Sequence, residues 1–179
     1  MPDTQLVDGE DVMRTARRVK TPAEIALIRA AATVAEATVM AALEAVAAGA
    51  SDAAVKAVAM EAMAAQAVTT AALEPRISRD DMRATVAVGV LRDGWEADLT
   101  RRAPGRDRPD VLTAAIDRCR AGAIVSDLGA DVHGLGLGYE VLSPSDVLEP
   151  GMVLSVGAGG GRDTVIVTDG APVTCSGPH

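Results

Sequence analysis

The stretch "DVHGLGLGYEV", residues 131–141, carries one of the two histidines in a chain of 179 residues, followed by glycines at 134, 136 and 138. Imidazole changes charge near neutral pH and binds divalent metals, so His133 is the first candidate for proton transfer or metal ligation. Alternating glycines also suggest a phosphate cradle, but that motif needs a strand before it and a helix after it. Here the loop sequence "SPSD" follows. "GAGGG" at 157–161 fails the same test, with neither a lysine nor a helix behind it. No Ser, His and Asp set can be argued from sequence. Cys119 and Cys175 are too few for a disulfide framework, and Cys119 falls on an apolar helical face, which makes it a core residue.

The clearest element that could position such groups is "KTPAEIALIRAAATVAEATVMAALEAVAAGAS". Thr21 caps, Pro22 suits the first helical position and Glu24 completes a capping box. Ile25, Ile28, Ala32, Ala35, Val39, Leu43 and Val46 recur at spacings of three and four, which predicts one buried face. Gly49 stops this helix, and Ser51 starts a second with Val55, Val58 and Ala62 as its stripe, fading near Gln66. "ATVAVGVL" and "WEADLTR" predict two strands around an Arg92-Asp93-Gly94 hairpin turn. After the loop "APGRDRP", Pro109 opens a third helix with Leu112, Ala115, Ile116 and Cys119 as its face. "GMVLSVGA" and "DTVIVTDG" predict two further strands, separated by "GGGR".

The order is therefore helix, helix, strand, strand, then helix, a short piece, strand, strand. "AAGASD" (47–52) is weakly echoed by "RAGAIVSD" (120–127). Two such units facing one another predict an α+β domain over residues 13–179, with a cleft between two sheets. Residues 1–12 read as a linker.

Composition narrows the function classes. The chain is 49% hydrophobic, with no Phe, one Trp and one Tyr, so the core must be built from Ala, Val, Leu, Ile and Met. Such side chains bury less area than aromatics, which predicts modest stability unless a partner surface is added. A net charge of −8 argues against nucleic acid and anionic membranes as partners. "RTARRVK" reads as a solvated segment leading into a helix. No unbroken apolar run reaches the ~20 residues of a membrane span, and the N-terminus has no signal-peptide character. A reduced, cytoplasmic protein is the expectation.

Taken in order, "RRVKTPAEIALIRAA", "GWEADLTR", "HGLGLGYE", "LEPGMVLSV" and "DTVIVTDG" resemble the family of methionine aminopeptidases, Xaa-Pro aminopeptidases, prolidases and creatinases, over about residues 8–172. The first and fourth of these look most like the Xaa-Pro peptidase branch. The resemblance implies a shortened pita-bread fold of two pseudo-repeated helix-helix-strand-strand units, with only the catalytic-type domain in this chain. Peptide-hydrolysing relatives hold two divalent metals with two Asp, one His and two Glu, a donor set that offsets the ions' charge while they activate a bridging water. Carried over residue by residue, Asp98 and His133 match ligands. The other positions fall at Ala87, Gly157 and Arg162, and the family's assisting histidine should lie around "TTAALEP", which has none.

Arginine stays protonated at any relevant pH, and a guanidinium ~4 Å from a dication costs several kcal/mol at an effective dielectric of about 20. The resemblance therefore implies no resident metal or other cofactor. It predicts instead a charge-assisted pair between Asp98 and Arg162, in which the cation replaces the metal. His133 and Asp98 are the candidate catalytic pair. Tyr139, Glu140, Arg162 and Trp95 are the candidate ligand-binding residues, Trp95 also being placed to pack beneath the site. The residues around 122–132 are short for a second helix of the second unit.

Three functions stay open on this reading. A degenerate peptidase-like module would bind a peptide or a small amino-acid-like ligand in the cleft. A repurposed metal-free enzyme would use His133 with Asp98 or Glu140. A working metallopeptidase would need Asp163 and Glu140 to swing inward as replacement ligands. The small core, and the habit of relatives, add the expectation of a homodimer.

Overall fold

The computed structural model describes residues 7–80 and 82–177. The capping box forms as the sequence predicts: Glu24 N–H donates to Thr21 Oγ1 at 3.3 Å, and Thr21 N–H donates to Glu24 Oε2 at 2.7 Å. It starts helix α2 (Pro22–Ala47), which is preceded by α1 (Glu10–Arg18) and followed by α3 (Asp52–Ala64), capped by Ser51. Thr21→Ala should cost about 1 kcal/mol, seen as a lower urea midpoint with an unchanged slope. α1 begins inside the stretch read as a linker, and none of its residues is buried. Its charge pattern, Glu10 and Asp11 first and Arg17 and Arg18 last, complements the helix dipole and supports a helix with no core face. Residues 1–6 of the expected linker lie outside the described residues.

Strands β1 (Ala71–Arg79), β2 (Ala84–Arg92) and β3 (Trp95–Ala103) follow α3. Asp93 and Gly94 both take positive φ, 52° and 84°, between the paired residues Arg92 and Trp95, as a two-residue type I′ hairpin requires. Then come α4 (Asp110–Arg118), a 3₁₀ turn at Val125–Leu128, β4 (Asp131–Gly134), β5 (Val153–Ala158), β6 (Gly161–Ile166) and the short β7 (Val173–Thr174). The second unit's second helix is thus reduced to a single 3₁₀ turn.

The expected two sheets are one. The strands form a seven-stranded sheet in the order β1-β2-β3-β6-β5-β4, with β7 also on β6. The halves join where Thr100 of β3 pairs with Arg162 of β6. β1 is absent from the sequence reading because "AALEPRISR" does not alternate and contains Pro75. It is an edge strand whose register shifts between Leu73 and Arg76, so the missing proline N–H breaks no ladder.

Aliphatic side chains fill three buried clusters. The first joins α2 and α3 to one face of β2 and β3, and the second joins α4 to β5 and β6. The third is small: Ile28, Trp95, Leu135, Val153 and Ile166. α2 is long and apolar enough to cross a membrane by length and composition, with a mean hydropathy of 1.6 over its most apolar 18 residues. Here it buries ten residues within the domain, packed against α3, β2 and β3.

Candidate functional site

Side chains alternate along a strand, so the face of β3 away from α2 carries Glu96, Asp98 and Thr100. Register places Ala87 of β2 opposite Thr100, and His133 of β4 opposite Ser155 of β5. Ala87, Glu96, Asp98, Thr100, His133 and Arg162 line one wall of a cleft of about 380 Å3, with Ser155 and Gly157 behind it; Gly157 and Arg162 face one another across the β5–β6 pair. Tyr139 and β1 close its sides.

Asp98 is buried, at 4% exposure. Its Oδ2 accepts a hydrogen bond from the Ser155 hydroxyl at 2.7 Å, while its Oδ1 is buried without a partner. Burial pushes its carboxyl above the usual range, and Ser155 and Arg162 oppose the shift. Burial, with Asp98 beside it, raises Glu96 as well.

The predicted Asp98–Arg162 pair is present but indirect. Arg162 Nε lies 4.0 Å from Asp98 Oδ2, too far for a hydrogen bond. The guanidinium instead donates from Nη1 to the Ser155 oxygen at 2.6 Å, and from Nη2 to Asp131. Ser155 relays between cation and carboxylate.

The Arg162 side chain packs against Gly157. A Cβ there would lie 2.6 Å from Arg162 Nη2. The guanidinium therefore occupies the space that a side chain at 157 would need.

His133 sits between these charges. Its Nε2 is 3.9 Å from Asp98 Oδ2 and its Nδ1 is 3.5 Å from Arg162 Nη1. Arginine only donates, so Nδ1 is the bare nitrogen and the ring proton belongs on Nε2. The ring stacks on Tyr139 with centroids 4.3 Å apart and planes 28° off parallel. Burial first, and Arg162 second, lower the His133 pKa to about 4, leaving the imidazole neutral at physiological pH.

No family model matches this chain, and a search of curated proteins gives no match. Solved structures do match. The chain aligns with a prolidase from Pyrococcus furiosus at a TM-score of 0.79 and 21% identity, over 95% of this chain and 65% of that one. A recombinant prolidase from Thermococcus sibiricus gives 0.81 at 16%, over 98% and 64%. A histidine-to-alanine variant of Escherichia coli aminopeptidase P gives 0.77 at 16%, over 94% and 58%. The chain has the pita-bread fold. It spans less than two thirds of the length of these chains.

Within the pita-bread cleft, four of the candidates meet: Asp98, His133, Arg162 and Tyr139. Two do not. Trp95, at 9% exposure, packs into the third core cluster, as its expected packing role requires, and does not line the cleft, because β3's alternation turns it toward Ile28 and Leu135. Glu140 lies 3.4 Å from Lys20 Nζ and lines a neighbouring hollow. Ser155, Asp131 and Glu96 escaped the sequence reading. Counting by twos from Asp98 reaches Glu96, and from His133 reaches Asp131, so alternation held that signal.

Asp163 is not available to the cleft either. It follows Arg162 in β6 and so faces the opposite side of the sheet, fully buried between Arg101 and Arg108. Among the described residues, no group of three or more His, Cys, Asp or Glu side chains converges as a metal site.

Proposed function

We propose that this domain binds a peptide or a small amino-acid-like ligand in the pita-bread cleft and does not act as a metallopeptidase. One observation carries the reading: the Arg162 guanidinium lies inside the cleft, 4.0 Å from Asp98 and within reach of His133. The relatives that the sequence resembles use a pair of divalent ions, and the residues present do not fit such a pair. Ala87 and Gly157 offer no side-chain donor, and Arg162 brings a permanent cation. Rescue by Asp163 or Glu140 is opposed by their ion pairs with Arg101, Arg108 and Lys20. What the cleft does offer is both signs of charge, with Arg76 and Arg162 against Glu74 and Glu96, a layout complementary to a zwitterion.

Catalysis by His133 as a metal-free acid or base is the second reading, favoured by the neutral imidazole 3.9 Å from a buried carboxylate. A pKa of about 4 opposes it, because so weak a base gains little from proton abstraction at neutral pH.

The test combines metal analysis of the purified protein, a cleavage assay with Xaa-Pro dipeptides and thermal-shift titration with dipeptides and amino acids, repeated on His133→Ala. Expected are a ligand-dependent rise in melting temperature, no stoichiometric metal and no turnover. Stoichiometric Mn, Co or Zn with cleavage abolished by chelation would overturn the proposal. Turnover lost in His133→Ala, without metal, would replace it with the catalytic reading.

A further inference from the structure

One transverse row of the sheet runs along the cleft wall. Register sets Arg76 of β1 beside Ala87 of β2, then Thr100 of β3 and Arg162 of β6. Arg76 reaches this face because β1 carries one extra residue. Between the pairs Leu73–Gly89 and Arg76–Ala87, β1 advances three positions while β2 advances two. Such a bulge re-aims the side chains around it. Leu73 and Arg76 therefore both line the cleft, and Leu73 lies over Gly89, where an added Cβ would come within 3.0 Å of the Leu73 backbone.

The charged side chains that line the cleft divide into those already partnered and those not. Glu74 is ion-paired with Lys56. Arg162 donates to Asp131 and stands 4.0 Å from Asp98, so its charge is already met. The His133 ring is neutral at physiological pH. Two groups remain. Arg76 is exposed and makes no hydrogen bond or ion pair among the described residues. Glu96 is half-buried and makes none either, yet both its oxygens reach solvent. Its nearest electrostatic influence is a like charge, Asp98, so a cation placed on Glu96 would relieve a repulsion as well as a lost hydration.

The two groups stand well apart. Glu96 lies four residues along β3 from Thr100, and Arg76 lies two strands across from it. At ~3.3 Å per residue and ~4.8 Å per strand, their Cα atoms are ~16 Å apart. Side chains stand roughly perpendicular to a sheet, so the charges keep most of that separation. Allowing ~3 Å for each ion contact leaves a ligand ~10 Å long. One residue spans at most ~3.6 Å, so about three fit and a single amino acid cannot touch both charges.

We propose that the cleft selects a short unblocked peptide of about three residues, with its ammonium on Glu96 and its C-terminal carboxylate on Arg76. This rests on the cleft-binding reading above and chooses the peptide over the free amino acid. Arg76 is then a specificity-determining residue, placed by the β1 bulge. Between the two charges the wall offers Leu73 and Ala87, which suit an aliphatic middle residue.

The test is amide chemical-shift mapping of the whole chain titrated with trialanine, N-acetyl-trialanine, trialaninamide and L-alanine. Trialanine is expected to move the amides of Leu73, Gly89, Asp98 and His133 in a saturable way. N-Acetyl-trialanine, lacking the ammonium, and trialaninamide, lacking the carboxylate, should each bind about tenfold more weakly, the loss of one charge-assisted contact. L-Alanine should bind more weakly still. Arg76→Ala should weaken trialanine about tenfold and leave trialaninamide unchanged. Glu96→Gln should weaken trialanine comparably and leave N-acetyl-trialanine unchanged. Arg76 is exposed and glutamine keeps the shape of Glu96, so amides remote from the cleft should match the wild type in both variants. Equal affinity for trialanine and trialaninamide, or for trialanine and L-alanine, would overturn this selection and leave the cleft reading in place. An unchanged trialanine affinity in Arg76→Ala would do the same. No shifts at the cleft with any of the four probes would overturn both.

Discussion

Asp163→Ala is expected to remove about 3–5 kcal/mol of folding stability, a large share of the 5–15 kcal/mol that holds a typical domain together. Asp163 is fully buried and accepts from Arg101 Nη2 at 2.9 Å and Arg108 Nε at 2.7 Å, as well as from the Ser176 hydroxyl. Removing the carboxylate strands Arg101, itself 1% exposed, as an uncompensated charge in the interior. Arg101 also donates to the carbonyls of Thr100 and Arg162, the two residues through which β3 and β6 pair. The damage should therefore fall on the seam between the two halves of the sheet. Urea unfolding measures it, with Asp131→Ala as the comparison: that carboxylate also pairs with an arginine, but its side chain is 75% exposed, and its loss should cost under about 1 kcal/mol. Equal costs for the two substitutions would show that burial of the Asp163 cluster contributes nothing.

The second large effect is on pH dependence. His133 has a folded pKa of about 4 against an ordinary 6.5. Between those values the unfolded chain takes up a proton at residue 133 that the folded chain refuses. Stability conferred by the neutral ring is complete above about pH 6.5 and lost as pH falls toward 4, by roughly 3 kcal/mol in all. Asp98 runs the other way. Its carboxyl is raised by burial, so the penalty that it imposes near neutral pH is relieved as it protonates. The difference in stability between the wild type and His133→Ala isolates the imidazole, and it should shrink steadily from pH 7 to pH 4. Ring titration by NMR gives the pKa directly. Arg162→Ala should raise it by removing the adjacent cation. Gly157→Ala should shift it in the same direction, because the new methyl group would displace the guanidinium. A His133 ring that titrates near 6.5 in the wild type would refute the account.

Local chemistry made much of the fold readable. Thr21, Pro22 and Glu24 mark the start of α2, and Asp93-Gly94 marks the β2–β3 turn, because each specifies backbone geometry without help from distant residues. β1 was not readable, since an edge strand with a register shift around Pro75 is held by its neighbour, not by its own pattern. The single sheet was not readable either, since it depends on Thr100 meeting Arg162 across 62 residues of chain. In the cleft, the resemblance to peptidases brought Asp98, His133 and Arg162 together correctly. It could not foresee that Ser155 would stand between two of them, because a serine in "VLSVG" looks like any other strand hydroxyl. The contact between Glu140 and Lys20 was not readable for a related reason: the two lie 120 residues apart.

The scarcity of aromatic residues has an experimental use. Trp95, the only indole, lies in the core behind Gly136, and Tyr139, the only phenol, stands 68% exposed in front of the same segment. Intrinsic fluorescence from this chain is thus a two-channel signal from opposite sides of the glycine segment, so occupancy of the cleft can be followed optically without attaching a dye.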